Sequence, residues 1–549
     1  MSFPFPLATV VAVFCALALA GTGSASSLLR PGDRIVFIGD SITGQGDNVT
    51  DGWIHQMKNA LRAASPENRQ TFVALGGSGQ GAGTWLDVER RSRSQNFPLD
   101  VRAHDVKAAL DQPADVLVIM LGMNDALFPR VEETPSGMDR WAGDYEKLLR
   151  ILRERTRPRL VALATPTLCT EDVDSPKNRV LAGFAGRIGA IAKQENCVVL
   201  PTREEMIRVL ARGRQGRPDF HVTGDFVHPD LAGHVAIARG MLRGLGETQA
   251  ADALLKKHSG ELFSKQPLSW NIRYEGPASG PPSGELTSGK LTARLAFFRN
   301  AASLSKQAAT LRTPAGWRVV SAGGSDRRGR DGEARGEFVI TGSPDRLVST
   351  LVLSADGHQA AIRVPAPWLI GTGNAGREGW EGDRFNPSRQ PASAAALAAR
   401  LSAGDGFGQP LEIAPGQTLA WRYYWPGVNY GGGDDPGAVD MAGVTFFQNF
   451  DVAWGARWIY SDTGQSLSVH IRRFGFVNGS HLSIWMNGES VHAGQLAEAP
   501  SSGLPVTLKP GWNALVFQSN NYQVQWQFAV DLAGARPETL RVSIVPPAK

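Results

Sequence analysis

Three cysteines in 549 residues are too few for a disulfide-built scaffold. Cys15 lies in an apolar N-terminal stretch, and bulky Phe14 stands before it where lipid attachment calls for a small residue. That leaves Cys169 and Cys197. The first follows one expected strand and the second opens the next. In a parallel sheet those points lie at opposite ends, beyond the ~7 Å Cα separation that a disulfide spans. The geometry argues against a disulfide between them unless the loop after Cys169 folds back, and the sequence does not decide whether they pair.

Charge of one sign is also scarce. The net charge is +5, and no block of five or more like charges occurs. The densest basic stretches, Arg90-Arg91-Ser92-Arg93 and Asp326-Arg327-Arg328-Gly329-Arg330, are broken by Ser, Gly and Asp. Nucleic-acid binding needs a continuous basic face, so no nucleic-acid partner is expected. Long apolar runs are missing too. The longest uncharged one, Leu7 to Ala20, has fourteen residues, short of the ~20 that span a bilayer. Small residues follow it, Gly21-Thr22-Gly23-Ser24-Ala25-Ser26, as signal cleavage after Ala25 requires. Residues before the run carry no Lys or Arg, so only the amino terminus is positive. The reading is a signal peptide over 1–25, a secreted or periplasmic location and no stable membrane insertion once the signal is removed.

What is present is a large globular chain. Hydrophobic residues make up 42% and charged residues 20%, ordinary values for packed domains. At roughly 100–200 residues per domain, the length implies three or four. From 34 to 245, apolar runs alternate with helical patterns. The runs are Arg34–Ile38, Thr71–Leu75, Val116–Leu121, Leu160–Ala164 and Val198–Leu200. Helical periodicity fills 51–63, 104–111, 139–155, 177–194 and 229–243. This predicts a parallel sheet covered on both faces by helices. Polar motifs stand where the runs end, at the rim where open α/β sheets bind ligands.

A helical linker is expected over 247–266, and the character then changes. Short alternating runs such as Leu291–Phe298, Trp317–Val320, Glu337–Ile340 and Leu347–Leu353 predict a β-sandwich over 267–370. A Gly- and Ala-rich connector follows over 371–409. A second, aromatic-rich β-sandwich is expected over 410–549, with an Asn-Gly hairpin in Met486-Asn487-Gly488-Glu489.

Four blocks carry chemistry. Ser41 lies in Gly39-Asp40-Ser41-Ile42-Thr43, at a strand–helix junction. It can be a nucleophile or a helix cap, since serine suits both. His228 lies in Asp225-Phe226-Val227-His228-Pro229, with Asp225 three residues away to orient its ring. Pro229 suits the first helical position, which would put His228 at the end of a loop. Asn124, in Gly122-Met123-Asn124-Asp125, can donate to an oxyanion or tie down its own loop. Gly79 lies in Gly76-Gly77-Ser78-Gly79-Gln80-Gly81, which lacks the Lys and Ser/Thr of a phosphate loop. A metal site built from Asp219, His221, Asp225 and His228 would lack zinc-like ligand spacing, so no metal or other cofactor is expected.

Taken together, the four blocks resemble the SGNH, or GDSL-type, hydrolases over about residues 33–245. The resemblance implies a three-layer α/β/α domain over 30–246. It makes Ser41, His228 and Asp225 the catalytic triad, and gives an oxyanion hole from the N–H groups of Ser41 and Gly79 with the Asn124 side chain. Two details depart from the pattern. The first block reads Ser-Ile-Thr, as in carbohydrate-active members. Ala74-Leu75 precedes the glycine block where Asn is common, so Gly77 and Gly81 compete with Gly79.

The C-terminal half is loosely similar to accessory domains of glycoside hydrolases. Leu311–Val319 resembles immunoglobulin-like modules, while Leu482–Glu489 and Leu508–Leu515 resemble jelly rolls. Most aromatic rings there are expected in the core. Trp425 and Tyr430, beside Gly431-Gly432-Gly433-Asp434-Asp435, are the best candidates for contact with a sugar. The charged stretch Thr84–Pro98 also points to a hydrophilic substrate. The resulting expectation is an exported serine esterase that removes O-acetyl groups from carbohydrate. Its substrate would be an acylated small molecule or a polysaccharide. Two alternatives stand beside it: lipid, aryl or thioester hydrolysis or acyl transfer at the same site, and a non-catalytic glycan-binding protein.

Overall fold

The computed structural model describes residues 27–549 apart from 68, 101–103, 128–130, 132–133, 218–219, 226, 265–266, 276–290, 300–307, 329–333, 343–344, 375–379, 382–383, 386–393, 406, 408–410, 415–416, 425–438, 441–450, 475–479, 522–526, 535–539, 544 and 548–549. The expected signal segment and both Trp425 and Tyr430 lie outside the described residues.

Five strands form the N-terminal sheet: β1 (Arg34–Asp40), β2 (Thr71–Gly77), β3 (Val116–Met120), β4 (Leu160–Ala164) and β5 (Val198–Leu200). All pairs are parallel, in the order β2-β1-β3-β4-β5. Ile35 to Ile38 and Val116 to Ile119 are buried on both sheet faces, which is why these strands read as unbroken apolar runs. The strand order reverses between β1 and β3. A crevice opens at such a switch point, at the carboxyl ends of the strands.

Among the described residues, ten helices connect and follow these five strands. They are α1 (Ser41–Asn48), α2 (Trp53–Ala64), α3 (Ala82–Ser92), α4 (Val106–Leu110), α5 (Met123–Leu127), α6 (Pro135–Thr156), α7 (Pro176–Gln194), α8 (Thr202–Gly216), α9 (Leu231–Gly244) and α10 (Thr248–Leu262). The second, eighth, ninth and tenth pack on one another, and the third, fourth, sixth and seventh form the other group. The result is the expected three-layer α/β/α domain.

The sequence pattern had not marked α1, α3, α5 or α8. Helix α3 explains why. Its buried residues are Ala82, Trp85, Glu89 and Ser92, so half of its inward stripe is polar and the apolar period disappears. Part of the polarity of Thr84–Pro98 therefore serves the fold. Glu89 turns inward and meets Arg155 at the end of α6, 3.1 Å away. The Arg155 guanidinium also donates to Ser92 Oγ at 2.7 Å and to Asp111 Oδ1 at 2.6 Å. One cation thus ties α6 to α3 and to the residue after α4.

The C-terminal half is antiparallel β-structure. Strands 268–275, 291–299, 334–342 and 317–328 make one four-stranded sheet, and 358–365, 348–355 and 310–312 make a three-stranded one. Leu295, Phe297, Ile340, Leu351 and Ile362 share one core. Among the described residues, the remaining strands form an eight-stranded sheet, a further four-stranded sheet and a two-stranded pair, Trp380–Glu381 with Arg384–Phe385. Trp368–Asn374 pairs with Gln417–Tyr424 and Asp451–Ser461, so the boundary expected at 370 falls inside a strand of that larger sheet. The Asn-Gly hairpin is formed, with φ of 54° at Asn487 and 83° at Gly488, as a two-residue I′ turn requires. Trp421, Trp454, Trp458 and Trp485 are core residues. Trp512 is 39% exposed, with its ring edge-on to Tyr460 at 5.2 Å.

Arg155→Ala should leave Glu89 buried with only the exposed Arg93 as a charge partner. Breaking a buried pair from one side costs about 3 kcal/mol. For a domain of this size that corresponds to about 6–12 °C. Differential scanning calorimetry should show the α/β transition lowered by that amount, with the β-domain transition unmoved.

Candidate active site

The site is assembled at the carboxyl ends of β1, β2 and β3, with a loop after β5 and α8 closing over them. Ser41 directly follows β1 as the first residue of α1. The capping role expected of it falls to its neighbour. Asp40 occupies the N-cap, and its carboxylate accepts from Ile42 N at 2.9 Å. Capping leaves no task for the serine hydroxyl, which instead lies 2.9 Å from His228 Nε2. Two buried indoles hold this junction. Trp85 Nε1 donates to Gly39 O at 2.8 Å, and Trp53 Nε1 donates to Ile42 O at 3.0 Å.

His228 is oriented with equal care. Its Nδ1 lies 2.7 Å from Asp225 Oδ2. A carboxylate only accepts, so Nδ1 carries the proton and Nε2 offers its lone pair to the serine hydroxyl. The other Asp225 oxygen accepts from the backbone N–H of His228 at 2.7 Å and of Val227 at 3.2 Å. Gly224 N donates to His228 O at 2.8 Å, and Thr223 bridges Pro229. Acid and base therefore sit in one closed loop. Pro229 does not open the helix. Asp230 is the N-cap of α9, accepting from Gly233 N at 2.9 Å, because a carboxylate caps where proline cannot.

The glycine block and the third-strand block meet. Asn124 Nδ2 donates to Gln80 O at 2.9 Å, so the amide touches the glycine loop and keeps a second N–H. Asp125 accepts from Ala82 N with both oxygens at 3.2 Å. Its carboxylate thereby caps α3, whose own N-cap residue, Gly81, has no side chain. A Cβ at Gly81 would lie 2.4 Å from Asp125 Oδ1. Gly79 differs: its φ is +71°, and a Cβ there would meet nothing within 4 Å. Of the three competing glycines, Gly79 is the one beside open space.

Burial sets the electrostatics. It pushes the Asp40 carboxyl up to about 7, against the Ile42 N–H and the nearby His228 charge. Burial alone would lower the His228 pKa. The hydrogen bond to Asp225, the Asp225 charge and the Asp40 charge outweigh it, and the result lies above the ordinary value. Burial likewise opposes ionisation of Asp225, yet its bonds to the His228 ring and to two backbone N–H groups hold it below the usual range. An ionised acid, a neutral base poised to take a proton, and a hydroxyl in line with it can perform nucleophilic acyl transfer.

The other candidate residues do not join this cluster. His221 pairs with Asp230 at 2.8 Å, and Asp219 lies outside the described residues. Among the described residues, no group of three or more His, Cys, Asp or Glu is placed to hold a metal ion. Cys169 and Cys197 are free thiols. Three residues escaped the sequence reading. Asp40 and Asp125 stood inside the quoted blocks as neighbours of better-known positions. Glu171, whose carboxylate reaches Val222 and Thr223, had no signal, because its partners are fifty residues away.

Catalysis needs His228 neutral. Its raised pKa means kcat/KM should fall as pH drops through a midpoint above ~6.5. Asp225→Asn removes the Asp225 charge and weakens its bond to the ring, two of the three influences that raise it, so burial should weigh more and move that limb to lower pH. Turnover should also drop by about 10⁴ through loss of the correct tautomer. A pH–rate profile of both proteins tests the sign.

Comparison with known proteins identifies the domain. Residues 37–236 match the GDSL-like Lipase/Acylhydrolase family. An acetylxylan esterase of Geobacillus stearothermophilus is 27% identical over 231 residues, covering 39% of this chain and 94% of its own length. Among solved structures, a variant of an acetyl xylan esterase from Geobacillus stearothermophilus is 26% identical, covering 40% of this chain and 97% of its own, with a TM-score of 0.31. An alpha/beta hydrolase enzyme from the metagenome of Lake Arreo, Spain, is 24% identical, covering 41% and 99%, with a TM-score of 0.32. Residues 37–236 carry the match to the GDSL-like lipase/acylhydrolase family, which together with the acetylxylan esterase relative supports an ester hydrolase.

Proposed function

We propose that this chain is an exported carbohydrate O-acetylesterase that works through an acyl-enzyme on Ser41. The observation that carries the reaction is the unbroken line from Asp225 Oδ2 through the His228 ring to Ser41 Oγ, with contacts of 2.7 and 2.9 Å. His228 Nε2 takes the Ser41 proton as Oγ attacks the acyl carbonyl. The carbonyl oxygen becomes an oxyanion, held by the Ser41 and Gly79 N–H groups and the second Asn124 amide N–H. Collapse breaks the ester C–O bond, and His228 returns the proton to the departing sugar hydroxyl. A water then gives a proton to His228 and attacks the acyl-serine, releasing acetate and restoring Ser41. Asp225 stays ionised and stabilises the imidazolium in both steps.

Support for the carbohydrate comes from the 27% identical relative, itself named an acetylxylan esterase. The Ser-Ile-Thr block agrees with it. Support for export is the apolar run Leu7–Ala20 with the small residues after it. Among the described residues, no helix is long and apolar enough to cross a membrane. The contact proposed for Trp425 and Tyr430 lies outside the described residues and stays a proposal.

Acetate release from acetylated xylan should exceed turnover of long-chain p-nitrophenyl esters; the reverse preference would assign the site to lipids. Ser41→Ala should lower kcat by about 10⁴–10⁶ in folded protein, and full turnover in that variant would sink the reaction. Asn124→Ala should cost about 10²–10³ in kcat with little change in KM.

A further inference from the structure

The loop that presents Asp225 and His228 is closed on itself by the Thr223–Pro229 bridge. Its base is gripped from a distant part of the chain. Glu171 is buried, 7% exposed, in the segment between β4 and α7. Its Oε1 accepts three hydrogen bonds: from Val222 N at 3.0 Å, from Thr223 N at 2.9 Å and from Thr223 Oγ1 at 2.8 Å. Val222 and Thr223 are both fully buried, and Asp225 follows two residues later.

The segment bearing Glu171 is held as well. Thr170 has φ +69°, a left-handed conformation that a β-branched residue adopts only where its surroundings impose it. Buried Asn178 imposes it here. Asn178 Oδ1 accepts from Cys169 N at 3.1 Å, and Nδ2 donates to Cys169 O and Asp172 O, both at 2.6 Å. Arg203 in turn donates to Asn178 O at 2.9 Å, and Arg214 donates to Glu171 O at 3.0 Å. The bend aims the carboxylate inward, and its grip on the backbone sets where Asp225 begins.

We propose that Glu171 is a positioning residue: its buried carboxylate clamps the backbone at Val222–Thr223 and so fixes Asp225 and His228 against Ser41. This rests on the reaction proposed above. It follows from the geometry that the clamp acts on acid and base together, through the closed loop from Thr223 to Pro229, and not on substrate binding. Misplacing a catalytic group by about 1 Å from a remote site costs up to ~10²-fold in rate.

The test is steady-state kinetics of the full chain with p-nitrophenyl acetate at 25 °C, alongside thermal unfolding and a pH–rate profile. Glu171→Ala should lower kcat about 10–100-fold with KM within about twofold. Its acid limb should move to lower pH as the Asp225–His228 contact loosens. Glu171→Gln keeps an acceptor oxygen of the same reach and should recover kcat to within about threefold of the parent. Wild-type kcat and acid limb in folded Glu171→Ala would overturn the clamp, as would a Gln variant no better than Ala. Should Glu171→Ala fail to fold, Glu171→Asp decides. Its carboxyl is one methylene short of both N–H groups, so kcat should fall several-fold, and an unchanged kcat would overturn the proposal. Ser41→Ala in the same assay separates the two ideas, since turnover there would remove the reaction whatever the Glu171 variants do.

Discussion

The contact between Asp225 and the His228 ring is the interaction on which the rest of the site depends. It fixes the tautomer, so that Nε2 faces Ser41 with a lone pair. It also offsets the burial that would otherwise disfavour charge on the ring. An imidazole without this partner would lose its proton-accepting strength in the same buried place. The closed turn from Thr223 to Pro229 serves that contact: one carboxylate oxygen holds the ring and the other holds the backbone N–H groups beside it.

Around that contact, the domain solves a problem of competing demands at helix starts. A serine next to a strand end is a natural cap, and a capping hydroxyl is not free to react. Asp40 takes the capping role for α1, and Asp125 takes it for α3 from across the sheet. Each carboxylate satisfies backbone donors that would otherwise be orphaned. Both acids are buried beside the Ser41 junction, and charge on Asp40 is one of the influences that favour a proton on His228.

The β-sheets after residue 268 follow different physics. Their rings mostly fill cores, as Trp421, Trp454, Trp458 and Trp485 do. A strand beginning at Trp368 joins the larger C-terminal sheet. Density of aromatics alone therefore says little about ligand contact, since the same rings supply the packing between sheets.

Much of the hydrolase domain was legible in the sequence because its strands are buried on both faces, and nothing but apolar residues suits such places. Ser41, Asn124, Asp225 and His228 were legible because each stands in a short block at a strand or helix boundary. Other features came only with the tertiary structure. Helix α3 was hidden because Glu89 and Ser92 face inward to meet Arg155, which removes the apolar period. The sequence did not distinguish Gly79 from Gly77 and Gly81, whereas the backbone sets it apart by its φ of +71° and the open space beside it. Glu171 left no mark at all. By itself, the sequence determined which side chains have the chemistry for acyl transfer, since that depends on residue type and local spacing. Only the tertiary structure decided which oxygen and nitrogen atoms meet, because those contacts join segments as far apart as Ser41 and His228, and Glu171 and Thr223.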